Sequence, residues 1–285
     1  MDIRSIAVPL MFRLPRRTSR WALYLYHNHR VPHFRNPVTF NEKINWRILN
    51  DRRPILEWTC DKLAMKEHAV KVSGLQVPRT LWVGTDLREL ANAELPEHWV
   101  LKPNHRSGEV FFGHGRPDLP SLTTITAKWL RSVEAEKLRE WAYSKARPLF
   151  LAEELLGVPG SPPSDYKFFV FAGQVAAVQV DTDRHTEHHR RLYLPDWSPL
   201  EVTSGVYPLA PIEPPPVNLD KMLAIASELG HPFDFIRVDL YSIDGETSFG
   251  ELTPYAGSGL DRFTPASFDT DLGAKWSLPA IPPTR

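Results

Sequence analysis

Cysteine, long apolar runs and net charge are all scarce in this sequence, and each scarcity excludes a class of protein. Cys60 is the one cysteine among 285 residues, so an internal disulfide and a zinc cluster built from cysteines are excluded. No apolar run approaches the ~20 residues that a membrane-spanning helix needs. The segment 6–12 is short, contains a proline and lacks the cleavage site of a signal peptide. We therefore expect a cytoplasmic protein.

The charges balance over the whole chain but not along it. Lysine plus arginine and aspartate plus glutamate number 34 each. The basic excess of nucleic-acid-binding proteins is missing, so we expect no nucleic-acid partner. Residues 1–36 contain seven arginines and one aspartate, whereas residues 211–285 contain five basic and eleven acidic residues. This leaves three partners open for the basic arm: an anionic membrane surface, an acidic glycan, and the acidic end of the same chain.

Helical and strand patterns both run through the sequence, which predicts an α+β fold. A chain of 285 residues with 42% hydrophobic content can bury a full core. The five prolines between Pro208 and Val217 predict a linker. Apolar spacing and capping residues predict helices at 19–33, 39–49, 61–72, 124–145 and 219–229, and strands at 77–83, 98–102, 148–153, 166–171 and 174–180.

The segment 235–254 carries the most informative pattern, a β-hairpin with one carboxylate in each strand. A two-residue turn would place Asp239 and Glu251 on opposite faces, whereas a three-residue loop with a bulge at Gly245 would place both on one face, together with Arg237 and Thr253. Like charges side by side destabilise a sheet unless a cation lies between them. The hairpin therefore predicts a Mg²⁺ site, with a solvated polar face as the alternative.

Two lysines stand where a phosphate group would stabilise them. Lys62 follows the predicted N-cap Asp61, and a cation in the first helical turn is unfavourable unless an anion binds there. Lys102 ends a buried strand just before a loop that contains Ser107 and Gly108, where backbone amides can approach phosphate oxygens. A surface lysine extending into water is the alternative for Lys62.

Two other kinds of site have weak support. His185, His188 and His189 suggest zinc, but no cysteine or suitably spaced carboxylate completes such a site. A Ser-His-Asp hydrolase is also disfavoured, because the sequence has no G-x-S-x-G nucleophile elbow.

The same motifs carry a family resemblance. The segments RVDLY and FGELTP, the DK pair at 61–62, and VLKPNHRSG at 100–108 resemble the TupA-like branch of the ATP-grasp superfamily over residues 37–275. The resemblance implies two α+β lobes that clamp ATP, after a short mainly helical N-terminal region. It places the N-terminal region at 1–75, the small lobe with the phosphate loop at 76–147, and the large lobe with the metal hairpin at 148–285.

The resemblance also implies roles for particular residues. Asp239 and Glu251 would hold Mg²⁺ on the ATP phosphates, with Thr253 standing where the superfamily usually has asparagine. Arg106 stands where the branch usually has glycine. The phosphates would be bound by Lys62, Lys102, Ser107 and Gly108, adenine by Glu153, Glu154 and Leu155, and the ribose side by Asp165 and Lys167. Catalysis would depend on Arg237, Lys102 and Arg190. Further candidates for contacts to phosphate or a substrate carboxylate are Arg184 and Arg191.

The activity implied by this resemblance is ATP-dependent ligation of a carboxylate to an amine through an acyl phosphate. Its cofactors would be ATP and Mg²⁺, and its substrates a small-molecule or glycan carboxylate and an amine, for example an amino acid joined to a sugar acid or to another amino acid. A kinase that phosphorylates a hydroxyl and a nucleotide-binding protein without turnover remain as alternatives. The sequence does not identify the oligomeric state.

Overall fold

The structure is a computed structural model that describes residues 9–131, 138–160, 163–182 and 187–280. Its mixture of helices and sheets confirms the predicted α+β class. Short 3₁₀ turns lie at Pro54–Leu56, Trp58–Cys60, Trp141–Lys145 and Ala256–Gly259. The α-helices are α1 (Arg16–Asn28), α2 (Phe40–Asn50), α3 (Lys62–Ala69), α4 (Leu87–Leu90), α5 (Leu119–Thr126), α6 (Leu219–Gly230) and α7 (Ser267–Ala274).

The strands form three sheets. A seven-stranded sheet has the order β1-β12-β11-β6-β7-β8-β9, a four-stranded sheet has the order β2-β5-β3-β4, and β10 pairs with β13. The strands are β1 (Leu75–Gln76), β2 (Thr80–Gly84), β3 (His98–Pro103), β4 (Phe111–His114), β5 (Phe150–Glu154), β6 (Asp165–Phe171), β7 (Gln174–Thr182), β8 (His189–Tyr193), β9 (Pro199–Leu200), β10 (Thr203–Ser204), β11 (Ile236–Ile243), β12 (Glu246–Thr253) and β13 (Phe263–Thr264).

The two faces of the seven-stranded sheet differ in character. On one face, Phe168 and Val238 pack with α3 and α6 in a continuous apolar core. On the other face, Phe169 and Phe171 pack against α2 and Trp276. Because side chains alternate along a strand, Lys167 and other polar residues of the central strands share this second face. One face is thus mainly apolar, while the other is divided between an apolar half and a charged half.

The four-stranded sheet has its own core around Trp99 and Leu101, with Leu122 and Trp129 packed against it. β5 belongs to this sheet, since it pairs with both β2 and β3. The predicted lobe boundary at residue 147 separates β5 from the strands with which it pairs. The three predicted regions otherwise remain a prediction.

The single helix predicted over 124–145 is wrong. α5 begins at Leu119 and ends at Thr126, and a separate 3₁₀ turn begins at Trp141. The hydroxyl of Thr126 donates to the carbonyl of Leu122. β-branched residues fill 123–126 and lower the helix propensity there. Residues 132–137, including the predicted core position Val133, lie outside the described residues.

Part of the basic N-terminal arm binds within the chain. Arg20 is fully buried and donates to Asn45 Oδ1 at 2.6 Å and to Ser258 Oγ at 3.1 Å. Arg16 donates to the carbonyl of Leu49 at 2.8 Å, near the C-terminal end of α2. Arg20 thus reaches the C-terminal part of the chain through Ser258, whereas Arg16 binds α2, and the partner of the basic arm as a whole stays a prediction. Within the described residues, no helix has the length and apolarity that spanning a membrane would require.

Candidate nucleotide and metal site

Asp239 and Glu251 are paired on one face of the β11–β12 hairpin, but the predicted cause is wrong. The turn at Asp244 and Gly245 has two residues, with φ of 52° and 78°, the left-handed values of a tight hairpin turn. The register shift occurs further along, between Asp239 and Leu240, where Gly250 is the extra residue. A Cβ atom on Gly250 would lie 2.8 Å from the backbone oxygen of Asp239. The bulge therefore brings the two carboxylates opposite each other and requires glycine.

Arg237 holds these carboxylates together. Its guanidinium donates to both oxygens of Asp239, at 2.7 and 2.6 Å, and lies 3.4 Å from Glu251 Oε1. It also donates to Thr253 Oγ1 at 3.1 Å, and the Thr253 hydroxyl in turn donates to Glu251. All four predicted residues of the hairpin thus lie within one hydrogen-bonded group.

Burial and neighbouring charges shift the pKa values of the two carboxyls in opposite directions. Burial raises the pKa of Asp239 to about 6, although Arg237 and Lys167 act to lower it. Burial would also raise the pKa of Glu251, but Lys62 and Arg237 outweigh it and hold the pKa below its usual value. A divalent cation binds the ionised form, so Asp239 is the carboxyl whose proton competes with a metal near neutral pH.

Lys167 extends this charged group across β6 and β7. Its Nζ forms an ion pair with Asp165, lies 3.2 Å from Asp181 Oδ2, and lies 3.8 Å from Asp239 Oδ2. Asp165, predicted near the ribose, and Lys167 thus form an ion pair beside the β11–β12 hairpin on the same sheet face. Asp181, whose buried carboxylate pairs with Lys167 in this group, was not predicted.

Arg190 lies on the far side of Asp181 from Lys167. It donates to Asp181 Oδ1 at 2.7 Å and lies 3.3 Å from Asp261 Oδ2 and over the ring of Tyr207. Arg191 donates to the carbonyl of Ala210 at 2.6 Å. The structure therefore places Arg190 within the charged group, linked to Lys167 through Asp181 and to Asp239 through Asp181 and Lys167. Arg184 and His185 lie outside the described residues.

Three lysines line a cleft between the two large sheets, where α3, β3 and β5 meet β12. Lys102 and Lys66 both form ion pairs with the buried carboxylate of Glu153, the latter at 2.6 Å. Lys62 Nζ donates to the backbone carbonyl of Arg106 at 2.6 Å. Burial lowers the pKa of Lys62, with Glu251 opposing the shift. The cleft is lined by Lys62, Met65, Lys66, Pro78, Lys102, Glu153, Phe249 and Gly250.

Lys66 was missed, although a signal for it was present in the sequence. It lies four residues after Lys62 on α3, so both side chains share one face of the helix. Asp61 caps this helix by accepting from the amide of Ala64 at 3.0 Å, as predicted. Gly250 was also missed, although a glycine inside a strand commonly marks a bulge or a close approach.

Asn104 joins the helix that carries Lys62 to the strand that carries Lys102. It is fully buried, and its side chain accepts from the amide of Leu63 at 2.9 Å and donates to the carbonyl of Arg147 at 3.0 Å. Its own carbonyl accepts from the amide of Lys62 at 3.2 Å. The two predicted phosphate-binding lysines are therefore held in one frame.

The glycine-containing loop after Lys102 is open at its tip. Gly108 has a φ of 86°, and a Cβ there would meet nothing within 4 Å. Ser107, beside it, is exposed. Arg106 instead bonds to Glu109 Oε1 at 3.1 Å and to the carbonyl of Lys128 at 3.2 Å. The role predicted for Ser107 and Gly108 remains a prediction.

The residues predicted to meet adenine lie at the end of β5. Glu153 turns its carboxylate into the cleft, whereas Glu154 accepts from the amide of Arg79 at 2.6 Å and fixes the start of β2. Leu155 follows the strand. Their predicted contact with adenine through the backbone is not tested by this geometry.

One comparison with known proteins identifies a family. The sequence model of a family described as TupA-like ATPgrasp matches residues 42–277. No curated protein sequence matches the chain. Among solved structures, the D-alanine–D-alanine ligase of Bacillus anthracis complexed with ATP is 15% identical, with 69% of this chain and 53% of that chain covered and a TM-score of 0.40.

Two further solved ligases show a similar likeness. The D-alanine–D-alanine ligase of Helicobacter pylori is 15% identical, with 78% of this chain and 61% of that chain covered and a TM-score of 0.44. The ATP-grasp ligase PsnB, complexed with a phosphomimetic variant of its minimal precursor, Mg and ADP, is 15% identical, with coverages of 78% and 60% and a TM-score of 0.42. The chain spans between half and two thirds of the length of these ligases. Because these TM-scores are low, the assignment to a family rests on the match to the family's sequence model.

Proposed function

The chain belongs to the TupA-like ATP-grasp family, and from this premise we propose that it is an ATP-dependent carboxylate–amine ligase with Mg²⁺ as its metal cofactor. One observation carries the proposal. The bulge at Gly250 aligns Asp239 with Glu251, and Gly250 itself lines the cleft that holds Lys62, Lys66 and Lys102. Oxygen ligands for a hard cation thus lie beside three cations suited to phosphate groups.

The residues of the hairpin fit Mg²⁺. Asp239, Glu251 and the hydroxyl of Thr253 offer only oxygen donors, which are the ligands that Mg²⁺ prefers. Arg237 neutralises both carboxylates in the structure. Bound there, Mg²⁺ would neutralise charge on the ATP phosphates.

The lysines would bind the phosphates of ATP, in competition with Glu153. Glu153 neutralises Lys66 and Lys102 in the structure, so those lysines would exchange an internal carboxylate for the phosphate oxygens. Lys62 would contact the phosphates from the first turn of α3, where the helix dipole also favours anions.

The proposed reaction has two steps. A substrate carboxylate oxygen attacks the γ-phosphorus of ATP, and ADP leaves with the electrons of the broken bond. The amine then attacks the carbonyl carbon of the acyl phosphate and loses a proton, and inorganic phosphate leaves. Arg237 would stabilise the negative charge of the transferring group, and Arg190 would orient the acid. An amino acid and a sugar acid, or two amino acids, are the substrates that we propose.

A phosphorus NMR experiment distinguishes this reaction from its alternatives. The protein would be incubated with Mg²⁺, ATP and pairs of candidate sugar acids and amino acids, with the acid labelled with ¹⁸O in its carboxylate. We expect ADP and free phosphate to accumulate together when acid and amine are both present, with one ¹⁸O transferred into the phosphate. A stable phosphate ester without free phosphate would identify a kinase. Binding of ATP without ADP formation for any pair would identify a nucleotide-binding protein.

A further inference from the structure

A second group of side chains that can bind metals lies away from the proposed ATP site, at the open end of the β3–β4 hairpin, opposite the loop that connects the two strands. We propose that Glu97, His98 and His114 bind a zinc ion. Each residue offers one ligand atom, and these three atoms all lie within 4.8 Å of one another. The proposal is independent of the ligase activity.

Strand pairing brings the two histidines together. His98 and His114 are direct partners in the register of β3 and β4, and their ring centroids lie 4.9 Å apart. His114 Nε2 also lies 3.3 Å from Glu97 Oε1. Since directly opposed side chains share one face of a sheet, both rings are held on the same side of the hairpin. The carboxylate of Glu97 completes a set of three donors.

The backbone beneath these side chains is firmly held. The amide of Gly115 donates to the carbonyl of Glu97 at 2.7 Å, and the indole of Trp99 donates to the carbonyl of Gly115 at 2.9 Å. Trp99 is almost fully buried. The residues that precede and follow the two histidines are therefore anchored, while the side chains of Glu97 and His114 extend into solvent.

The donor set selects zinc over magnesium. Two imidazole nitrogens and one carboxylate oxygen, with water as a fourth ligand, form a common zinc set, whereas Mg²⁺ prefers oxygen throughout. Tetrahedral zinc with bonds near 2.1 Å places its ligands about 3.4 Å apart. The present separation of up to 4.8 Å closes by rotation of side chains that are largely exposed.

This site lies at the opposite end of β3 from Lys102. The four residue steps from His98 to Lys102 span roughly 13 Å at the rise of a β-strand. The loop that follows Lys102 connects β3 to β4. A bound zinc ion would therefore link β3 and β4 at the ends that are remote from this loop. Such a link would stabilise the small lobe.

Isothermal titration with ZnCl₂ at pH 7.5 tests the proposal, on the full chain without nucleotide. The variants are His98→Gln, His114→Gln and Glu97→Gln, with His231→Gln as an exposed histidine outside the site. We expect the wild-type protein and His231→Gln to share one zinc-binding event that is weakened about tenfold or more in both histidine variants. Glu97→Gln should weaken it less.

Co²⁺ provides a second readout that does not depend on heats of binding. The wild-type protein should show the visible absorption of nitrogen- and oxygen-coordinated Co²⁺, and Zn²⁺ should displace it. Circular dichroism of the variants checks that they fold. Zinc binding of equal strength in the wild-type protein, His98→Gln and His114→Gln would overturn the proposal, and so would the absence of any zinc binding by the wild-type protein.

Discussion

The bulge at Gly250 can be tested by adding a single carbon atom. In Gly250→Ala the new Cβ would lie 2.8 Å from the carbonyl oxygen of Asp239 and 3.2 Å from the ring of Tyr241. Ordinary contacts begin at 3.4 Å, so the two strands must separate by about 0.6 Å at this point. Such overpacking costs about 1–3 kcal/mol. The separation occurs between the two carboxylates, so metal-dependent ATP binding should weaken as well.

Two measurements on this variant should change together. Denaturant unfolding should show a free energy of unfolding lower by about 1–3 kcal/mol, and calorimetry with Mg-ATP should show weaker binding. Ser248→Ala on the same strand is a suitable control, because it removes a buried hydroxyl that has no hydrogen-bond partner. Wild-type stability together with wild-type Mg-ATP affinity in Gly250→Ala would refute the argument that the bulge positions the metal ligands.

Three further changes follow from the geometry of the cleft. Lys66→Met should weaken ATP binding about tenfold or more, whereas Lys71→Met, an exposed control, should not. Equal ATP affinity of the wild-type protein and Lys66→Met by calorimetry would exclude Lys66 from the phosphate site. Asn104→Ala should lower the free energy of unfolding by about 1–3 kcal/mol, because the partly buried amide of Leu63 and carbonyl of Arg147 lose their partner. A loss under ~0.5 kcal/mol in urea unfolding would contradict this. The thermal stabilisation by Mg-ATP should increase between pH 5 and 7, because Asp239 loses the proton that competes with the metal. If this stabilisation does not change with pH, Asp239 is not a ligand of the metal.

Asp239 also predicts how stability changes with pH when no metal is present. Its pKa is about 6 in the folded chain and 3.8 in its ordinary state, so the folded state retains a proton that the unfolded state has lost. Stability from this group is therefore greatest at low pH and falls as the pH rises from about 4 to about 6. This is the reverse of a carboxylate whose pKa is depressed. Mg²⁺ bound to Asp239 would remove the loss of stability that appears above about pH 6.

The hairpin shows what sequence patterns can and cannot predict. Alternation of apolar and charged residues identified the two strands, and an assumed bulge was needed to place Asp239 and Glu251 on one face, a pairing that the structure confirms. The origin of the register shift was predicted at Gly245 and is in fact at Gly250. A glycine in the turn and a glycine in the strand both permit the shift, and the close approach to Asp239 becomes evident only from the three-dimensional packing.

Contacts between distant segments were beyond the sequence for a similar reason. Glu153 was predicted to act through its backbone, yet its carboxylate neutralises Lys66 and Lys102 from α3 and β3. Asp181 was not predicted at all, because its partners Lys167 and Arg190 lie on neighbouring strands. In contrast, the helices predicted to begin at 39 and 61 depend on local capping, and the structure shows a capping box of Thr39 and Glu42 for the first and an N-cap at Asp61 for the second. Local geometry was therefore predictable, while ion pairs across the sheets were not.

Electron paramagnetic resonance with Mn²⁺ in place of Mg²⁺ tests the central claim most directly, namely that Asp239 and Glu251 hold the metal that accompanies ATP. Mn²⁺ gives a sharp spectrum when it is free but not when it is bound to ATP or to the protein. The mixture is therefore ultrafiltered, and the acidified filtrate, which contains free Mn²⁺ and Mn-ATP, gives by difference the fraction that the protein retains with and without ATP. The wild-type protein should bind Mn²⁺ tightly in the presence of ATP, and Asp239→Asn and Glu251→Gln should each release most of it while remaining folded by circular dichroism. Equal binding of Mn²⁺ in the wild-type protein and both variants would contradict the account.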